Sequence, residues 1–195
     1  MIYTVRPVIA VTLLSVALLS ACDSGDSKGP DASSSSSSSA KPRWQKLAAE
    51  CPAFAGDAAT GVEPVDKAFR PFNGKKLYAV GCDYRASESR GWKVMLNVTL
   101  YRTPVGERTP DALAARELDR NRRAAEQYAT EGAKSEVVTG VGDSAFARLV
   151  PGRGVRVYVQ TANAMVQLDY ADPGDSRKAL AKATDLTRQT LSVLR

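Results

Sequence analysis

The chain has 195 residues, 44% of them hydrophobic and 25% charged, with 27 Lys and Arg against 21 Asp and Glu and no histidine. That balance suits a globular domain and is too polar for a chain threaded repeatedly through a bilayer. The missing histidine excludes histidine-activated serine or cysteine nucleophiles and the usual zinc sites.

The first segment is an export signal. Arg6 gives a positive start, Val8 to Leu19 form an uncharged apolar run, and the small residues Ser20 and Ala21 follow. A run of about a dozen residues is too short to span a membrane, which takes roughly 20, and reads as a signal peptide over residues 1–21. Leu19-Ser20-Ala21-Cys22 looks like a bacterial lipobox, in which the cysteine thiol receives a diacylglycerol and cleavage leaves that cysteine first. The alternative is an ordinary secretory leader that ends on a cysteine by chance. Two or three acyl chains, palmitate among them, would hold the chain firmly at about 0.8 kcal/mol per buried CH₂. The expected address is therefore the outer face of a bacterial cytoplasmic membrane.

Residues 22–42 carry the lipidated cysteine and a tether. Seven consecutive serines, Ser33 to Ser39, stand among Gly, Asp and Pro with no large apolar side chain. Such a stretch cannot bury enough apolar surface to offset its ordering entropy. Twenty residues of this kind average about 25 Å end to end. The remaining 43–195 fit one globular domain.

With Cys22 acylated, Cys51 and Cys82 are an even pair in an oxidising compartment and read as a disulfide. Closing that loop stabilises the fold by about 3 to 4 kcal/mol in the chain-entropy model. A redox pair is the functional alternative, but the spacing is not Cys-x-x-Cys.

Trp44 to Cys51 reads as a short helix ended by Pro52, and 53–76 as loop with one short element. Leu77–Tyr84 and Trp92–Tyr101 read as paired strands. In the second, Trp92, Val94, Leu96, Val98 and Leu100 alternate with Lys93, Met95, Asn97 and Thr99, the period of two that marks a half-buried strand. A helix follows, with Thr109 as its cap, Pro110 at its first position and Asp111 at the positive end of its dipole. Its apolar stripe is narrow: Ala114, Leu118, Asn121, Ala125 and Tyr128. Strands are expected over 135–139, 144–150, 154–160 and 164–170, as an antiparallel meander with turns at 151–153 and 161–163. Asp172, Pro173 and Asp175 open a last amphipathic helix with Leu180, Ala183, Leu186, Leu191 and Leu194 on its apolar side. The expected fold class is α+β, a single domain in which a mainly antiparallel sheet packs against helices on one face.

Several short segments resemble a known pattern. Cys51, Cys82 with Tyr84 soon after, Val141-Gly142-Asp143-Ser144-Ala145-Phe146 and Ala162-Asn163-Ala164-Met165-Val166 are similar to the small actinobacterial lipoproteins grouped as domain of unknown function 3558. The resemblance would cover most of 47–195. It implies a cell-envelope lipoprotein of sheet-and-helix type and no particular activity. Physically, Gly142 and Asp143 need only form a turn entering the strand that buries Phe146.

No motif for catalysis, metal or nucleotide stands out. Gly140-Val141-Gly142 and Gly152-Arg153-Gly154 lack the residues of a phosphate loop and read as turns. Asp169, Asp172 and Asp175 miss the calcium-loop spacing. No cofactor and no metal are expected. Without residues 1–21 the side chains number 26 basic against 21 acidic, about +5. Arg116, Arg120 and Arg123 share a helix face with compensating acids, whereas Arg148, Arg153 and Arg156 gather at one hairpin. The favoured reading is a non-catalytic binding or accessory module. Its candidate surface is Arg148, Arg156 and Tyr158, and its partner an envelope protein, lipid or anionic polymer rather than nucleic acid. The alternative is an enzyme using carboxylates, for which Glu63, Asp66 and Asp143 are the candidates.

Overall fold

A computed structural model describes residues 41–47, 51–65, 69–87 and 92–195, the side chain of Trp92 excepted. The leader, Cys22, the serine run and Asp66 lie outside these residues. After a single 3-10 turn at Asp57–Ala59, the chain forms β1 (Val62–Pro64), β2 (Arg70–Asn73), β3 (Leu77–Ala86) and β4 (Trp92–Tyr101). Helix α1 (Pro110–Gln127) separates these from β5 (Lys134–Val137), β6 (Ser144–Val150), β7 (Gly154–Thr161) and β8 (Ala164–Ala171), and α2 (Ser176–Ser192) follows. The strands make one antiparallel sheet in the order β1-β3-β4-β8-β7-β6-β5, with β2 also paired to β3.

The helix ends obey local chemistry. Thr109 accepts a hydrogen bond from the Ala112 amide, and Asp175 accepts from the Arg177 and Lys178 amides. These caps satisfy amides that have no partner within the helix.

Strand alternation divides the sheet into two faces. One presents Val80, Cys82 and Tyr84 from β3, Val94, Leu96 and Val98 from β4, Val157 and Val159 from β7, and Val166 and Leu168 from β8. Helix α2 covers this face with Ala179, Ala183 and Leu186, which completes the main core. The other face buries a smaller cluster, Phe146, Tyr158 and Met165, under Leu118 and Ala125 of α1. The α+β class and the antiparallel sheet packed against helices are as expected, but the helices divide between the two faces instead of sharing one. The cause is register: Phe146 pairs with Tyr158, one residue out of step with the valine face, so their rings point to the opposite side and need their own cover.

Three local expectations change. Residues 44–47 are not helical; they run beside the end of the chain's last helix, with Leu47 bridging Leu194 and the Gln45 and Lys46 amides donating to the Arg195 carbonyl. Distant backbone partners here outweigh local helix preference. Residues 53–76 hold two short strands and a 3-10 turn where one short element was expected. Tyr128, placed on the apolar stripe of α1, is 68% exposed because the helix has already ended at Gln127.

The disulfide forms as expected between Cys51 and Cys82, with Cα atoms 5.7 Å apart. It ties the segment entering the 3-10 turn to the middle of β3, beside Tyr84, whose hydroxyl donates to the Pro52 carbonyl at 3.0 Å.

Candidate functional site: an arginine-lined cavity

The β6–β7 hairpin brings Arg148, Arg153 and Arg156 to one end of the sheet. Together with Thr130, Asp169 and Tyr170 they line a cavity of about 450 Å³. Arg148 and Arg156 lie directly opposite each other across the hairpin, and Arg156 lies opposite Asp169 on β8. Like charges facing across strands repel, so this row needs a negative neighbour. Asp169 provides one. It is only 5% exposed, its Oδ1 accepts from Arg156 Nε, and its Oδ2 accepts from Gln167 Nε2 at 3.0 Å.

Both oxygens of Asp169 are thereby engaged, one on Arg156 and the other on Gln167. Burial disfavours the Arg156 cation, but the bonds to Asp169 and to the Tyr158 hydroxyl more than offset it and hold its pKa above the ordinary arginine value. Arg148 has no acid partner among the described residues. Its Nη2 donates to the Tyr128 carbonyl at 2.8 Å, while its Nε is buried with no hydrogen-bond partner. Arg153 is exposed on the turn at the cavity mouth and has no ion pair among the described residues. Two of three guanidinium groups thus face the cavity uncompensated. A planar fork of N–H donors matches carboxylate or phosphate oxygens in paired hydrogen bonds.

The floor of the cavity depends on a glycine. Gly154 has φ +126°, and a Cβ there would stand 2.1 Å from the Tyr170 carbonyl oxygen and 2.8 Å from the Asp172 amide. Only glycine lets β7 start this close to β8.

Of the candidate surface residues, Arg148 and Arg156 line the cavity. Tyr158 does not face outward: it is 5% exposed, stacked on Phe146 beneath α1, and reaches the site only through its hydroxyl, 3.4 Å from Arg156 Nη1. The outward reading failed because α1 covers the face opposite the main core. Arg153 belongs with the surface residues, and Asp169 was weighed only as a cation ligand. The turn is one residue shorter than the expected 161–163, since Thr161 already pairs with Ala164, and this register sets Arg156 against Asp169.

Of the carboxylates weighed for catalysis, Glu63 and Asp143 do not converge, and Asp66 lies outside the described residues. Glu63 is on β1 and Asp143 just before β6, with β3, β4, β8 and β7 between them. Asp143 instead clamps a turn. Its Oδ2 accepts from the Ala162 amide at 2.7 Å, where Ala162 itself has φ +43°, and its own amide donates to the Gln160 carbonyl at 2.8 Å. Asn163 is wholly buried. Its Oδ1 accepts from the Trp44 amide, and its Nδ2 donates to the Trp44 and Tyr101 carbonyls, all at 2.8 Å. The segments around 141–146 and 162–166 are therefore accounted for as architecture.

Compared with known proteins, the chain matches no family model, no curated sequence and no solved structure.

Proposed function

We propose that this chain is a non-catalytic binding module of the bacterial cell envelope, anchored by lipid on Cys22, that receives a phosphate- or carboxylate-bearing group between Arg148, Arg153 and Arg156. The observation that carries the reading is the arginine row lining the cavity, of which only Arg156 has an acid partner among the described residues. Guanidinium groups without a carboxylate partner offer paired N–H donors to phosphate or carboxylate oxygens. The separation of Glu63 from Asp143 leaves the carboxylate alternative without support from those residues. Kinship with the lipoproteins of domain of unknown function 3558 belongs to the same proposal. It is supported by the Cys51–Cys82 bridge and by the joint use of the 141–146 and 162–166 segments in one turn.

Thermal unfolding in inorganic phosphate and in citrate tests the site. A ligand at a hundred times its Kd adds about 2.7 kcal/mol of stability. The melting temperature should rise with anion concentration in the native chain, and the rise should vanish in Arg148→Met/Arg153→Gln, which keeps the aliphatic stems. An equal rise in chain and variant, or none in either, would sink the proposal.

A further inference from the structure

The opposite end of the sheet carries a second concentration of positive charge. Lys41, Arg43 and Lys46 on the entering segment, Lys75 and Lys76 on the β2–β3 turn, and Arg102 after β4 are brought together there. Arg102 ties the pieces to one another. Its Nε donates to the Gln45 carbonyl at 2.9 Å, its Nη1 to the Gly74 carbonyl at 3.3 Å, and its amide to the Lys76 carbonyl at 2.9 Å. None of the six is ion-paired among the described residues, and five of them are exposed. The acids that follow in sequence are Glu50, which lies outside the described residues, and, after Arg102, Glu107, next to Arg108 in the same loop, and Asp111 in the first turn of α1.

Two of the exposed large apolar side chains are here as well. Phe72 is 60% exposed on β2, its ring over Gly74, and Val105 is 43% exposed in the loop after β4. Basic residues ringed around a projecting aromatic suit a surface that is anionic outside and apolar just beneath. Lys41 is also where the serine-rich stretch from Cys22 joins the folded chain.

We infer that this end of the domain is a basic cap that seats on the anionic headgroups of the membrane. The inference rests on the anchored reading only for which membrane is meant. Each lysine or arginine near an anionic leaflet adds attraction that decays within about a Debye length, roughly 8 to 10 Å at ordinary salt. Six held together on a rigid end act in concert. Seating has a directional result: β7 spans eight residues from this end to the cavity, about 25 Å at roughly 3.3 Å per residue, so the arginine cavity faces away from the membrane. Its ligand then comes from the wall side, not from the headgroups under the cap.

The test uses the full chain as purified from bacterial membranes, with acylation read independently from its mass. Trp44 lies in the cap and Trp92 at the other end of β4, so Trp92→Phe leaves one reporter. On vesicles of half phosphatidylglycerol, a headgroup-linked nitroxide should quench Trp44 at least about twice as strongly as on pure phosphatidylcholine. The excess should disappear at about 0.5 M salt. Lys46→Glu/Lys75→Glu/Lys76→Glu should weaken seating by at least about tenfold. Equal quenching on both lipids, or an unchanged triple variant, would overturn the cap. Should Trp92→Phe fail to fold, amide exchange of the unsubstituted chain serves instead: segments 41–47 and 70–78 should gain protection on the anionic vesicles only, and no such gain would count against it. A mass without acyl chains together with lipid-dependent quenching would fail the anchor and keep the cap. Acylation with lipid-independent quenching would do the reverse.

Discussion

At the scale of single residues, the positions that tolerate least are those where backbone meets backbone. Gly142 has φ +61°, and a Cβ there would lie 2.4 Å from Val159 Cγ1 and 2.7 Å from the Gln160 carbonyl oxygen. Gly142→Ala should therefore cost about 2 kcal/mol or more, read as a lowered urea midpoint with an unchanged slope. Asn163→Ala should cost about 2 to 4 kcal/mol, because it orphans the Trp44 amide and two partly buried carbonyls at once. The tyrosines carry a pH dependence. Burial raises the phenol pKa of Tyr78, Tyr84, Tyr101 and Tyr170. A group that holds its proton more tightly when folded contributes stability below its unfolded pKa, about 10, and loses it as pH climbs toward the folded value. The fold should thus weaken steadily above about pH 10, with phenolate absorbance rising as ellipticity falls. Tyr84→Phe should flatten that alkaline limb even though it forfeits the bond to Pro52.

Among the elements, legibility in the sequence followed the number of partners each one needs. Strands β3 and β4 were readable because each buries one face and so alternates along its own length, and β6 to β8, though buried on both faces, still set small apolar residues such as Val157 and Val166 against larger or polar ones such as Arg156 and Gln167. The helices were readable from Thr109 and Asp175, whose side chains cap their own chain ends. Strands β1 and β2, three and four residues long and largely exposed, exist because β3 offers them an edge, and no local pattern records that. Residues 44–47 were misread for the same reason, since their partners are about 120 to 150 positions away. The cavity was half legible: the three arginines cluster in sequence, but the division of helices between faces, which buries Tyr158, does not show in any one segment. The Cys51–Cys82 bridge joins elements that local pattern links weakly. Its reduction should lower stability by about 3 to 4 kcal/mol in the chain-entropy model, measured by denaturant unfolding with and without reductant.

For the whole molecule, the two charged ends of the sheet give the proposals a direction, with the basic cap toward the membrane and the arginine cavity away from it. Cys22→Ala should move the processed chain from the membrane fraction to the soluble one at low lipid charge, and retention of a processed variant would count against lipidation. The pairing of 44–47 with 194–195 has a further effect, on the order in which the protein can be completed. Lys46 exchanges two backbone hydrogen bonds with Arg195, so the strip that enters the domain, though held by Asn163 and Arg102, is not fully paired until residue 195 is present. A chain emerging from a ribosome or a translocation pore must keep its first folded segment waiting for almost the whole length of the domain, and contacts of such long range form late. Full pairing of this strip therefore comes late in folding. On the proposed export reading that lateness is useful, since a chain that crosses a membrane unfolded gains from being slow to close.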